Sequence, residues 1–200
     1  MSEIRRRMPD ASPASELAEA QTDPSLGAVL APVHGRVRLL FLDLDGTLTD
    51  GVIVFDSRGG DARNFWIRDG LALTWARDLG ITPVVISGRS SDAVTARMTD
   101  LGIELHQGIA DKVEVARRLI EREETTWEHC VMVGDDLPDV AIMKRVGWPI
   151  AVADAQPEVL KAAKTVTRLP GGRGAIREVV EMLLRHNGTW ERVLERYEAR

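Results

Sequence analysis

Cysteine is nearly missing from this chain. Cys130 stands alone among 200 residues, so no disulfide can close within it, and the composition suits a reducing compartment. Lying in the apolar run Cys130-Val131-Met132-Val133, it reads as a small buried hydrophobe rather than a nucleophile. Positive charge is not in excess either: 26 Lys and Arg against 31 Asp and Glu leave a net charge of −5. A nucleic-acid partner needs a basic surplus to neutralise its phosphates, so that class is excluded. A small anion remains possible, because a few local basic groups can serve one pocket. Long apolar runs are also lacking. No stretch approaches the roughly 18 residues of a membrane helix. Arg5-Arg6-Arg7 is not followed by the apolar segment of a signal peptide, and Glu3, Asp10, Glu16 and Glu19 speak against an acid-poor transit peptide. The expectation is a cytoplasmic protein with neither a membrane nor a nucleic-acid partner.

What is present fits one domain with a substantial core: 44% hydrophobic and 28% charged residues. Residues 1–35, rich in Ala, Pro, Ser and acids, read as a flexible N-terminal arm with a short helix around 15–20. The body is expected over 36–187. Apolar runs at 37–43, 82–87, 103–106 and 130–134 read as buried strands, with short late strands at 150–152 and 165–167. Between and after them, helical patterns occupy 70–79, 90–101, 111–123, 138–145, a segment opened by Pro157, and 175–185. A last helix at 190–196 lies in a C-terminal tail, 188–200, which either packs on a neighbour or is solvated. This alternation predicts an α/β fold: a doubly wound parallel sheet covered on both faces, with ligands at the carboxyl ends of the strands. One segment breaks it. Residues 52–55, a turn at 56–60 and residues 61–66 read as a β-hairpin inserted after strand 1, and no insertion is long enough for a cap domain.

Four strand ends carry chemistry. Asp43 and Asp45, two residues apart ahead of Gly46, suit a divided task, one ionised nucleophile and one proton donor. A bare Asp-x-Asp is more often an acidic turn, but this pair follows Leu39-Leu40-Phe41-Leu42, where an α/β sheet places its site. Ser87 ends a strand and precedes a helix, so its hydroxyl and the helix N–H groups suit an anion; the plainer reading makes it loop beside a Ser90 or Ser91 cap. Lys112 stands at a helix start against the helix dipole, which asks for another reason; it can hold a phosphoryl oxygen, though a surface lysine is the plainer reading. Asp135, Asp136 and Asp139 form a hard oxygen cluster that suits Mg2+, or else a solvated loop with a capping aspartate.

In this order the four segments resemble the haloacid dehalogenase superfamily over residues 37–180. Within it, the chain is most similar to the capless 3-deoxy-D-manno-octulosonate 8-phosphate (KDO 8-phosphate) phosphatases. Thr49-Asp50-Gly51, the hairpin, Phe65-Trp66-Ile67-Arg68-Asp69-Gly70, Ala151-Val152-Ala153-Asp154-Ala155 and Gly171-Gly172-Arg173-Gly174-Ala175 carry that likeness. The resemblance implies a Mg2+-dependent phosphomonoester hydrolase that passes through an aspartyl phosphate and releases KDO and phosphate for lipopolysaccharide precursors. It implies Asp43 as nucleophile, Asp45 as acid and base, and Ser87 and Lys112 on the phosphoryl group. Mg2+ is implied on Asp43, the Asp45 carbonyl and Asp135, with Asp136 and Asp139 behind them. A phosphorylated sugar acid is implied to meet Arg68, Asp69, Gly70, Arg89, Arg97 and Arg173, partly across a homotetramer whose hairpins make the contacts. Thr47 replaces a usual aliphatic residue, Thr74 a frequent basic one, and Trp66 a smaller one. The alternatives are a nonulosonate 9-phosphate as substrate, or a non-catalytic scaffold of the same fold.

Overall fold

A computed structural model describes residues 33–200. Most of the expected arm, with its helix around 15–20, lies outside the described residues. The packed body begins earlier than residue 36, since Val33 is already buried in the core.

The central sheet contains β1 (Leu39–Leu42), β4 (Thr82–Ile86), β5 (Glu104–His106), β6 (Cys130–Gly134), β7 (Trp148–Ala151) and β8 (Thr165–Val166). All its pairs are parallel, in the order β5-β4-β1-β6-β7-β8. Every side chain of β1 is buried, as expected of a strand covered on both faces. The chain leaves β1 for β4 and β5 on one side, then returns to β6 on the other. That reversal opens a crevice beyond the carboxyl ends of β1, β4 and β6, where ligands bind in such sheets.

The helices form two packed groups. In the first, α1 (Ile67–Asp78) contacts α2 (Asp92–Leu101) and α6 (Ala175–His186), and α6 contacts α7 (Trp190–Arg196). In the second, α3 (Lys112–Arg122) contacts α4 (Val140–Met143), which contacts α5 (Pro157–Ala162). Ser91 caps α2 by accepting from the Val94 amide, and Gly102 ends it at φ +64°. Asp111 caps α3 through the Glu114 amide.

Several boundaries moved, for physical reasons. Helix α1 starts at Ile67 rather than 70, which places Arg68, Asp69 and Gly70 in its first turn. An acid there favours the helix dipole. The helix expected over 138–145 is instead a 3-10 turn, Leu137–Asp139, followed by the short α4. Asp136 and Asp139 close a reciprocal capping box that tightens this turn. The hairpin strands shrink to β2 (Val54–Phe55) and β3 (Asp61–Ala62), with a separate bridge between Thr49 and Phe65. The Asp56 carboxylate accepts from the Arg58 and Gly60 amides and shapes their turn.

The tail packs on its own chain. Trp190 meets Trp75 edge-on with ring centroids 6.0 Å apart, and the Trp75 indole N–H donates to the Tyr197 hydroxyl at 3.1 Å. The Arg177 guanidinium lies 4.0 Å over the Trp75 ring.

Candidate active site at the strand ends

The loop after β1 turns at Gly46, whose φ of +103° favours glycine. A Cβ there would collide with the Asp135 carboxylate, so the first loop and the end of β6 are pressed together. The Thr47 hydroxyl donates to Asp135 Oδ1 at 2.9 Å. Asp43, Asp135 and Asp139 therefore bring carboxylate oxygens within 4.8 Å of one another. Among the described residues, this is the one group of His, Cys, Asp and Glu with metal-ligand spacing.

Lys112, 7% exposed, is buried into this cluster from the start of α3. Its Nζ donates to Asp43 Oδ1 at 2.5 Å and to Asp139 Oδ1 at 2.8 Å. Burial acts to lower the lysine pKa, but the two carboxylates outweigh it and the net shift is upward. Asp139 Oδ2 accepts from the Asp135 amide at 3.2 Å, so both Asp139 oxygens are occupied within the protein. Burial, followed by the charge of Asp43, pushes Asp135 and Asp139 above the usual carboxylate range. Three crowded carboxylates facing one lysine leave a deficit of positive charge. The donors are hard oxygens, and the fit is to a divalent cation. Asp43 and Asp135 are the ligands left free for it.

A cleft of about 460 Å³ opens beside the cluster, large enough for a small phosphorylated molecule. Asp43, Asp45, Ser87, Arg89, Lys112, Asp136 and Asp139 are among the residues lining it. The Ser87 hydroxyl accepts from the Arg89 amide at 3.2 Å at the end of β4. Asp136 caps the 3-10 turn through the Leu137 amide at 2.7 Å. Cys130 stays remote from this chemistry: burial pushes its thiol up to about 12.

The other expected substrate contacts do not line the cleft within one chain. Asp69 is 1% exposed and accepts from the Gly174 amide at 3.2 Å and the Arg177 amide at 2.7 Å. It caps α6 from the neighbouring helix. Gly70 is tightly covered, since a Cβ there would come within 2.5 Å of Arg97 Nη2. Arg97 pairs with Asp100 at 2.8 Å, and Arg68 is exposed at the start of α1. The 171–174 loop lies against the first loop of its own chain. The Gly172 amide donates to the Thr47 carbonyl at 3.0 Å, and a Cβ on Gly171 would strike the Gly46 carbonyl. Arg173 pairs with Asp50 at 3.3 Å.

Three contacts around the strand ends escaped the sequence reading. Thr47 orients Asp135, Asp154 accepts from the Gly171 amide at 2.9 Å, and Arg63 pairs with Asp45 at 2.6 Å. For Thr47, the signal was a hydroxyl at a strand end. Nothing local marked Arg63, whose partner depends on how the hairpin folds back.

Comparison with known proteins gives a consistent picture. A family model described as haloacid dehalogenase-like hydrolase matches residues 90–171. The 3-deoxy-D-manno-octulosonate 8-phosphate phosphatase KdsC of Escherichia coli (strain K12) is 41% identical over 174 residues, covering 81% of this chain and 93% of that protein. The Moraxella catarrhalis phosphatase of the same name, solved with magnesium, phosphate and KDO, aligns with a TM-score of 0.78 and 33% identity over 80% of this chain and 93% of its own. A cobalt-bound deoxy-D-mannose-octulosonate 8-phosphate phosphatase from Haemophilus influenzae aligns at 0.74 and 34%, over 78% and 91% respectively.

Proposed function

Because the chain belongs to the KDO 8-phosphate phosphatase family of haloacid dehalogenase-like hydrolases, a family of metal-dependent phosphatases, we propose that it hydrolyses 3-deoxy-D-manno-octulosonate 8-phosphate to KDO and phosphate with Mg2+. The reaction would supply KDO to lipopolysaccharide precursor synthesis in the cytoplasm. The observation that carries this reading is the buried Lys112 ammonium set between Asp43 and Asp139 in the wall of the cleft, with Asp135 in the same carboxylate cluster.

Mg2+ would be held by the Asp43 and Asp135 carboxylates and the Asp45 carbonyl, and would neutralise charge on the phosphoryl group. One Asp43 oxygen attacks phosphorus, while the other, Oδ1, stays with Lys112 and would be the one shared with the cation. As the P–O bond to the sugar breaks, Asp45 gives its proton to the departing alkoxide. The product on the protein is an acyl phosphate of Asp43. Water then attacks its phosphorus, Asp45 takes the water's proton, and Asp43 is released. Ser87 and Lys112 stabilise negative charge on the phosphoryl oxygens throughout. Asp139 holds Lys112 and the Asp135 amide in place, and Asp136 fixes the turn between them.

Arg89 is the guanidinium we assign to the sugar carboxylate from within the cleft, since a planar fork suits a carboxylate. Arg68, Arg97 and Arg173 lie outside the cleft and would serve a neighbouring subunit of a homotetramer. The exposed apolar hairpin favours such an assembly: Val54 is 60% and Phe55 69% exposed.

The test is kcat/KM with Mg2+ and with chelator, on octulosonate 8-phosphate, a nonulosonate 9-phosphate and common sugar phosphates. We expect Mg2+-dependent turnover highest on the octulosonate. A preference for a phosphate lacking a carboxylate would overturn the sugar-acid assignment.

A further inference from the structure

The hairpin delivers one side chain that the mechanism above does not use. Arg63, directly after β3, has a side chain only 1% exposed. Its Nε donates to Asp45 Oδ1 at 2.6 Å, and its Nη1 donates to Asp61 Oδ2. Asp61 Oδ1 accepts from the Ser91 hydroxyl at 2.8 Å. Ser91 caps α2 through the Val94 amide, while its own amide donates to Gln107 Oε1 at 2.9 Å. A continuous polar chain thus runs from Asp45, through the hairpin, to the first turn of a core helix.

The other Asp45 oxygen lies toward Arg89, which lines the cleft with Asp45. Oδ2 lies 3.9 Å from Arg89, whose side chain is 68% exposed. One oxygen is therefore held by a buried, anchored guanidinium, while the other is only within ion-pair range of an exposed one. A carboxylate on a turn has several staggered rotamers; a charge-assisted bond from a fixed donor selects one.

We propose that Arg63 is the positioning residue for Asp45, holding Oδ1 so that Oδ2 carries the proton to the leaving oxygen of the substrate. This rests on the reading of Asp45 as the acid. Burial keeps Arg63 away from any substrate. A purely structural role explains its place poorly, because a buried ion pair gives little net stability over an apolar residue of similar size. In the step it serves, the P–O bond to the sugar breaks, its electron pair stays on the sugar oxygen, and the proton from Oδ2 joins that oxygen. The carboxylate left behind is the base for the later water.

Leaving-group dependence tests this. A sugar alkoxide is a poor leaving group and needs the proton, whereas p-nitrophenolate departs without it. The first irreversible step is read by kcat/KM, so this constant is measured for wild type, Asp45→Asn, Arg63→Met and Arg63→Lys on octulosonate 8-phosphate and on p-nitrophenyl phosphate. Misplaced acid catalysis should lower the sugar-phosphate value at least about 10-fold more than the aryl value in Arg63→Met, since a positioned acid is worth about 100-fold or more. Arg63→Lys should recover part of the difference. Should Arg63→Met fail to fold, Arg63→Lys decides alone, with a smaller loss of the same selectivity expected. Equal losses on both substrates in the Arg63 variants, or no loss, would overturn the proposal while a selective Asp45→Asn leaves Asp45 as the acid. An unselective Asp45→Asn would overturn both.

Discussion

At Thr47, one hydroxyl decides how Asp135 is aimed. It donates to Asp135 Oδ1 at 2.9 Å, and loss of such a partner typically weakens a metal site by about 10- to 100-fold. Thr47→Val should raise the Mg2+ dissociation constant within that range with little change in melting temperature; an unchanged constant would remove Thr47 from the metal's support. Asp135 and Asp139 make a second prediction. Their folded pKa values are raised, so between the ordinary value and the raised one the folded state binds more protons than the unfolded state. The contribution of this pair to the stability of the metal-free protein should be full below the ordinary aspartate value of 3.8 and fall as pH climbs to about 7. Added Mg2+ should therefore raise the melting temperature more at pH 8 than at pH 5, and a larger effect at pH 5 would contradict the sign. The residues at strand ends were legible because buried parallel strands read as apolar runs and their sites follow directly. Arg63 and Thr47 were not: their partners lie 18 and 88 residues away, and only the folded hairpin and sheet bring them together.

Among the elements, α1 and α6 are joined by an aspartate that belongs to one and caps the other. Gly174 has no side chain with which to cap α6, and Asp69 supplies the acceptor instead. Asp69→Ala should cost about 1–2 kcal/mol by urea denaturation, the usual value of a lost cap. A cost near zero would mean that water satisfies those amides. The last helix is held by aromatic packing rather than by caps, with Trp190 buried at 6% exposure against Trp75. Trp190→Ala should destabilise by about 3–5 kcal/mol, measured in the same way. Of these elements, the strands and the amphipathic helices were readable from periodicity. The start of α1 was not, because Asp69 there answers to α6. The helix after Asp136 came out short because two aspartates cap each other in its first turn.

The molecule as a whole presents a hairpin whose apolar side chains face outward. With Phe55 69% exposed and Ile67, at the start of α1, 73% exposed, a tetramer that covers them should break when a charge is placed there. Phe55→Asp should reduce the mass seen by light scattering below that of wild type. A wild-type monomer would contradict the assembly. The sheet, crevice and acidic cluster all converge on Asp43, and the account stands on its attack at phosphorus. The direct test is kcat of Asp43→Asn on octulosonate 8-phosphate with saturating Mg2+. We predict a loss of at least about 1,000-fold with the fold intact, as expected when a nucleophile is removed. A variant that keeps more than about one part in a hundred of wild-type turnover would contradict the assignment of Asp43 as the attacking group.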